Sequence, residues 1–318
     1  MNCTFRNALF VVISLFAASA NGAPVAYSVN SDSGNSGTMD SLFKIDLENG
    51  TDQKIGKLFD GLNDFIDTEG LALAPDGTLW GLDDESRTLF PINTTSGIVS
   101  FSDEVRLFGF PAGGGNDFGM TFSCEGTLYV TSVRTGSLYR VFLDGNMERV
   151  GADGALGVNI SALAAYGKPS KLYGLGNGQF LSGRSDSPNL YSIDVDSGVA
   201  TLIGALGAEA GGYSQGGLGF DSDGVLWAIT DRGIVGGSLV NLPSQIFTLD
   251  QDSGTATLVG TTTEVGYESL AVAPPSGCEA KKAPERPETI PTMGPFGRLL
   301  AILVLLSSGV ITLRRRFS

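Results

Sequence analysis

The residues of this 318-residue sequence that could do chemistry are acids and amides lying just before short apolar, glycine-containing stretches. Five such segments recur along the chain: NDFIDTEG, GGGNDFG, GVNIS, GGYSQGG and EVGYES. The side chains that they offer are Asp67, Glu69, Asn116, Asp117, Asn159, Gln215 and Glu268. Oxygen donors suit a hard cation such as calcium and also hydrogen-bond to sugar hydroxyls. If the fold gathers these segments, they predict a cation or glycan site.

Several other kinds of chemistry are excluded by composition. The chain has no histidine, which rules out Ser-His-Asp and Cys-His nucleophile systems in their usual form and every histidine-ligated metal site. No P-loop and no CxxC motif occurs. Carboxylates therefore remain the candidate catalytic groups. No cofactor is required by the sequence, although calcium would fit.

The elements that must position these acids form a repeat between residues 25 and 275. Each unit reads as a G-L-A-like strand, a D-G turn, an L-W or L-Y strand, an L-Y-x-I-D strand and an A-T-L-V-G strand, with an S-G turn before the last. Complete units begin at Gly70, Gly119, Ile160 and Gly217. This spacing is typical of the four-stranded blades of a β-propeller.

A fifth unit is split between the two ends of the repeat. ESLAVAPPSG, from Glu268, provides an innermost strand, and AYSV with SLFKID, near the N-terminus, provides the strands that should follow it. Joining them closes a ring, since a blade cannot bury its apolar faces alone. We therefore predict an all-β, five-bladed propeller. Six blades are the alternative if residues 101–115 or 204–213 contain a weak unit.

Some conspicuous residues have a structural explanation within the repeat. Trp80, Tyr129, Tyr173 and Trp227 share one position in four units, where a large ring should pack between blades. The turns DVDSG and DQDSG, from Asp194 and Asp250, resemble calcium loops. They fall where the outer hairpin must turn, and Asp, Ser and Gly are turn formers.

The two ends of the chain have residue patterns that predict targeting signals. Residues 1–20 have Arg6, an apolar run and an A-x-A site at Ala18 and Ala20, which is typical of a secretory signal peptide. Five of the 20 basic residues and none of the 34 acids lie in residues 1–20 and 290–318, so the remaining 15 bases leave the body at −19. Nucleic acid is therefore excluded as a partner.

Two cysteines, Cys124 and Cys278, remain after export to a compartment that permits disulfides. A bond between them and two unpaired thiols are equally compatible with the sequence. The stretch PSGCEAKKAPERPETI after the repeat is rich in proline and charge, and we interpret residues 276–289 as an extended spacer.

The segment IPTMGPFG, an apolar stretch and Arg314, Arg315 and Arg316 resemble the IPTL-type (IPTLxxWG) C-terminal sorting signals of bacterial exported proteins. The motif residues in 290–318 are Ile290, Pro291, Thr292, Met293, Phe296 and Gly297, with Met293 and Phe296 replacing Leu and Trp. The resemblance implies an exosortase-like membrane peptidase as partner, an inner-membrane precursor and a final cell-surface location. We interpret the apolar stretch as a short transmembrane helix, and the arginines predict a cytoplasmic C-terminus.

The strand pattern also resembles that of calcium-dependent lactonase propellers, which implies metal ligands at Glu69, Asn116 and Glu268, and Asp117 adjoins Asn116. Five-bladed glycosidases similarly use carboxylates in the channel. For this chain we expect a non-catalytic binding module for a glycan or small ligand, with no catalytic residue assigned. A calcium-dependent hydrolase of glycans or lactones is the alternative.

Overall fold

The computed structural model describes residues 23–31, 37–112, 115–176, 188–231, 233–235 and 238–278. In these ranges the regular structure is β-strand, apart from a single 3-10 turn at Phe101–Asp103. Near the N-terminus a three-stranded antiparallel sheet contains β1 (Val25–Val29), β2 (Ser41–Asp46) and β3 (Asp52–Lys57). It belongs to the fifth blade of the ring, blade 5.

Four further sheets of four antiparallel strands follow. Blade 1 consists of β4 (Thr68–Leu73), β5 (Leu79–Asp83), β6 (Thr88–Ile92) and β7 (Val105–Arg106). Blade 2 consists of β8 (Phe118–Phe122), β9 (Leu128–Ser132), β10 (Ser137–Val141) and β11 (Met147–Val150). Blade 3 consists of β12 (Ile160–Tyr166), β13 (Lys171–Gly176), β14 (Asn189–Ile193) and β15 (Ala200–Ala205).

Blade 4 has the same order with one insertion. Its strands are β16 (Gly216–Phe220), β17 (Leu226–Thr230), β20 (Gln245–Leu249) and β21 (Ala256–Thr261), and the small hairpin β18 (Gly233–Val235) and β19 (Ser238–Val240) lies between β17 and β20. Residues 101–115 hold the 3-10 turn and β7, whereas 204–213 complete β15 and lead towards β16. The chain is therefore a five-bladed propeller, and the six-bladed alternative is not realised.

The two ends of the repeat close the ring as the split unit predicts. Tyr27 donates its N–H to the carbonyl of Ala271 at 2.8 Å, and Ala271 donates to the carbonyl of Tyr27 at 2.9 Å. Residues 268–272 thus add an innermost segment to blade 5. The innermost strands of all five blades begin at one end of the central channel, the channel mouth, and end at the other, the channel floor.

Glycines let the innermost strands approach one another closely. A Cβ at Gly217 would lie 2.3 Å from the carbonyl carbon of Ser269, and one at Gly119 would lie 2.9 Å from that of Ala162. Larger residues would force the strands apart. The channel is consequently narrow, and its floor encloses a cavity of about 30 Å³.

The aromatic and turn residues play the structural parts predicted for them. Tyr129, Tyr173 and Trp227 are buried on the second strands of their blades, and Trp80 is half-buried at the equivalent position of blade 1. In the turn from Asp194, the carboxylate oxygen Oδ1 accepts hydrogen bonds from the backbone of Ser197 at 2.7 Å and from its hydroxyl at 2.7 Å. That carboxylate is engaged by its own turn, as turn formation requires.

The channel floor carries the covalent closure of the chain. Cys124, in the turn between β8 and β9, forms a disulfide with Cys278, with an S–S distance of 2.07 Å. Gly167 also donates its N–H to the carbonyl of Ser276 at 2.9 Å. The C-terminal part of the described chain is therefore fastened to blades 2 and 3.

The predicted targeting features lie outside the described residues. These are the signal peptide 1–20 with Ala18 and Ala20, the greater part of the spacer, the motif Ile290–Gly297, the apolar stretch and Arg314–Arg316. Within the part of the chain that the structure describes, no helix has the length and apolar character required to cross a membrane.

Candidate functional site

The channel mouth gathers acids from three blades. One carboxylate oxygen each of Asp67, Glu69 and Glu268 lie within 4.8 Å of one another. Oxygens of Glu69, Asp84 and Asp117 form a second group with the same spacing. The structure therefore brings together three of the four predicted ligands, Glu69, Asp117 and Glu268, and Glu69 belongs to both groups.

Two residues at the channel mouth owe their position to irregularities in strand pairing. In blade 1 the register shifts between Thr68 and Gly70, which makes Glu69 the extra residue of a bulge. In blade 3 it shifts between Ile160 and Ala162, at Ser161. A bulge re-aims a side chain that the strict alternation of a strand would point elsewhere. Both Glu69 and Ser161 line the cavity at the channel mouth.

Glu69 and Glu268 are almost wholly removed from solvent, with 6% and 2% of their surfaces exposed. Glu69 accepts a hydrogen bond from the backbone N–H of Phe118 at 3.1 Å through Oε2. The Oε2 atom of Glu268 accepts one from the hydroxyl of Ser31 at 2.5 Å. Among the described residues these hydrogen bonds come from neutral donors, which give little compensation for a buried charge.

Burial and mutual repulsion raise the pKa values of these acids. For Glu69 and Glu268 burial is the main cause, followed by Asp117 and Asp231 respectively, and both pKa values lie well above the usual range. Burial, followed by the charge of Asp84, raises the pKa of the half-buried Asp67 to about 7. The cluster resists full ionisation, because a buried carboxylate with like-charged neighbours favours its neutral form.

Several polar atoms at the channel mouth have no hydrogen-bond partner. Among the described residues these include Oε1 of Glu268 and Oγ of Ser161, both inaccessible to solvent. Ser161, Glu69 and Glu268 line one cavity of about 10 Å³, close to the volume that a single water-sized occupant needs. Buried polar groups are normally satisfied, so unpartnered oxygens facing a small cavity indicate a missing partner.

Asp84 was missed by the sequence analysis, and it organises one side of the channel mouth. Its carboxylate accepts hydrogen bonds from the N–H groups of Gly115 at 2.6 Å and Asn116 at 3.1 Å, and the side chain of Asn116 also contacts it. Asn116, predicted as a metal ligand, is therefore engaged with Asp84. These contacts fix the loop that presents Asp117, whose backbone φ of 36° is left-handed.

The repeat held a signal for Asp84. It lies four residues after Trp80, and Asp231 lies four residues after Trp227 in blade 4. The backbone N–H of Asp84 donates to the carbonyl of Asp67 at 2.7 Å, and that of Asp231 donates to the carbonyl of Gln215 at 2.9 Å. Acids just beyond the second strand therefore reach the channel mouth, and aligning the units would have found both.

The remaining predicted rim residues are placed differently. Gln215 is buried before β16, where its carbonyl accepts from Asp231, and Asn159 is half-buried before β12. Among the described residues the two acid groups come from blades 1, 2 and 5, while Ser161 of blade 3 lines the same cavity and Asp231 of blade 4 acts electrostatically on Glu268.

No protein-family model matches the sequence, and no curated protein matches it. Solved structures are similar in fold. Virginiamycin B lyase from Staphylococcus aureus is 18% identical over 70% of this chain and 63% of its own, with a TM-score of 0.39. The gluconolactonase XC5397 from Xanthomonas campestris is 17% identical over 71% and 73%, with a TM-score of 0.42. A putative TolB from Agrobacterium tumefaciens is 14% identical over 75% and 79%, with a TM-score of 0.45. The chain spans less than two thirds of the length of the lyase.

Proposed function

We propose that this chain is an exported, cell-surface β-propeller that binds a divalent cation, calcium by its donor chemistry, at the channel mouth. The observation that carries the proposal is the group of Asp67, Glu69 and Glu268, whose oxygens lie within 4.8 Å of one another beside a small cavity. The charged groups that act most strongly on Glu69 and Glu268 are other carboxylates. A cation would convert this repulsion into attraction.

Calcium matches the available donors. It takes six to eight oxygen ligands in a flexible arrangement, and carboxylates, hydroxyls and carbonyls all serve. Asp67, Glu69 and Glu268 would hold the ion, and the unpartnered hydroxyl of Ser161 lies at the same cavity. A channel mouth with a bound cation would offer a charged point to which ligand hydroxyls can attach. The function supported best is therefore a binding module.

Calcium titration of the full chain, purified in a non-ionic detergent, tests this function. We expect calcium to raise the melting temperature, because a ligand at about 100 times its Kd stabilises the folded state by about 2.7 kcal/mol. The substitution Glu268→Gln removes one buried carboxylate and should abolish most of the rise. Glu148→Gln, at an exposed position on β11, is the matched control. An identical response of wild type and Glu268→Gln would disprove the cation site.

A hydrolase of lactones or glycans is the second candidate, and the half-buried Asp67 favours it. Its pKa of about 7 is in the range of an effective general acid or base at neutral pH. The full chain with calcium should then turn over a lactone or a glycoside in a substrate panel, and Asp67→Asn should eliminate that turnover. A fully inactive wild type would leave the binding module as the function.

The route to the surface is the second part of the proposal. The N-terminal signal peptide would direct export, and an exosortase-like peptidase would process the chain near IPTMGPFG. Mass spectrometry of the cell-surface form tests this part. We expect a mature C-terminus that lacks Arg314–Arg316, and finding those arginines on the surface form would instead support a permanent anchor.

A further inference from the structure

A groove on blade 4 lies apart from the acid cluster. Its volume is about 340 Å³, within the range of roughly 300–1,000 Å³ typical of small-molecule sites. The groove exists because the connection between the second and third strands of this blade is long. It contains 14 residues, 231–244, whereas the equivalent connections of blades 1 and 2, residues 84–87 and 133–136, contain four each. The hairpin of β18 and β19 occupies this connection.

The hairpin is docked against the loop that leads into β16. Ile234 donates its N–H to the carbonyl of Gly212 at 2.9 Å, and Gly233 forms a β-bridge with Tyr213. Leu242 packs against Gly233, since a Cβ there would lie 2.8 Å from the Leu242 side chain. The groove is thus a formed feature of the blade with a wall held by backbone hydrogen bonds.

The groove has one aliphatic side and one hydrogen-bonding side. Ile234, Leu242 and Pro243 supply apolar surface, and 41% of Leu242 is exposed. Gln245 and Thr261 supply an amide and a hydroxyl, whereas the acid Asp231 is only 1% exposed. The body carries a large negative charge, which disfavours an anionic ligand. A ring with an apolar face and hydroxyls at its edge matches both sides.

Asp231 connects the groove to the acid cluster. It lines the groove and is also the charged neighbour that most raises the pKa of Glu268. The hydroxyl of Ser214 donates to its carboxylate. Asp231 thus links the groove electrostatically to Glu268 of the acid cluster.

We infer that the groove on blade 4 binds an uncharged saccharide ring, with its apolar face on Leu242 and Ile234 and its hydroxyls on Gln245 and Thr261. This inference rests on the proposed function, because it gives the cation-binding module a ligand class. The ring lies outside the channel, since the cavity between Glu69 and Glu268 is too small for an organic molecule.

Saturation-transfer NMR with the full chain in detergent and calcium tests the groove. The probes are methyl glycosides of glucose, galactose, mannose and N-acetylglucosamine, with glucuronate as the anionic comparison. We expect at least one neutral glycoside to bind more strongly than glucuronate. Leu242→Trp, which fills the groove, should weaken that binding by about tenfold or more. Leu202→Trp, at a leucine of blade 3 with 57% exposure, should leave it unchanged.

The outcomes separate the groove from the cation site. The groove inference fails if no neutral glycoside binds, if glucuronate binds as well as the neutral probes, or if Leu242→Trp binds as strongly as wild type. Calcium titration of Leu242→Trp should match wild type and show that the variant is folded. Glycoside binding without any calcium binding would refute the proposed function and leave the groove site intact. Calcium binding without glycoside binding would refute the groove inference and leave the proposed function intact.

Discussion

The channel mouth and the channel floor are the two ends of the same innermost strands, but they carry opposite chemistry. The mouth holds the buried carboxylates Glu69 and Glu268 with unpartnered oxygens. The floor cavity is lined largely by apolar side chains such as Leu73, Phe122 and Val272, and the disulfide lies at the same end. One end of the channel stabilises the ring, and the other end carries groups that destabilise it.

This difference indicates where function resides. An apolar floor follows from the need to bury surface and close a ring. Buried acids with raised pKa values lower the stability of the folded state, and proteins tolerate such groups chiefly at functional sites. Substitutions at the floor should therefore destabilise the chain. Substitutions of acids at the mouth should instead relieve the repulsion between buried carboxylates and remove cation binding.

The largest expected effect concerns the floor. Replacing Cys124 and Cys278 by serine should lower the free energy of unfolding by about 3–5 kcal/mol, because the bond constrains a long loop in the unfolded chain. The two cysteines are 154 residues apart and fasten the end of the closing segment to blade 2. Urea unfolding of wild type and the double serine variant measures the difference. A reductant should lower the free energy of unfolding of wild type alone. A loss below about 1 kcal/mol in the double serine variant would show that the hydrogen-bonded closure of the ring is sufficient.

The second prediction concerns the packing between mouth and floor. Gly217→Ala should destabilise the chain by about 1–3 kcal/mol, because its Cβ would collide with the backbone of Ser269. Gly260→Ala on the outer strand β21 is the control, since its Cβ would meet nothing closer than 3.7 Å. Thermal or urea unfolding provides the measurement. Equal losses for both variants would refute the idea that the innermost strands are uniquely close.

The third prediction concerns a pH dependence at the mouth. The folded-state pKa of Asp67 is about 7, above the ordinary value of 3.8, so the folded chain holds a proton that the unfolded chain releases. Its contribution to stability is fully present below pH 4 and is lost as the pH rises through 7. Without calcium, unfolding free energies measured between these pH values should therefore fall more steeply in wild type than in Asp67→Asn. Matching slopes would contradict the raised pKa.

The propeller was largely predictable because its signals are local and repeated. The D-G turns, the alternation within strands and the recurrence of the units determine where strands begin and end, and the split unit from Glu268 revealed the closure. Asp67, Glu69, Asp117 and Glu268 were predictable for the same reason, because each lies just before or at the start of an innermost segment. Asp84 and Asp231 were missed because they follow a different strand that ends at the same mouth.

The sequence by itself determined the class of fold, the absence of histidine chemistry and the strongly acidic body, since these depend on composition and local periodicity. The tertiary structure alone decided which acids meet, which cysteines bond and that blade 4 carries a groove. Bulges at Glu69 and Ser161 arise from pairing with neighbouring strands, and the contact of Glu69 with Glu268 joins residues far apart in the chain. Such positions depend on ring closure, which brings blades 1 and 5 together and which local sequence patterns do not specify.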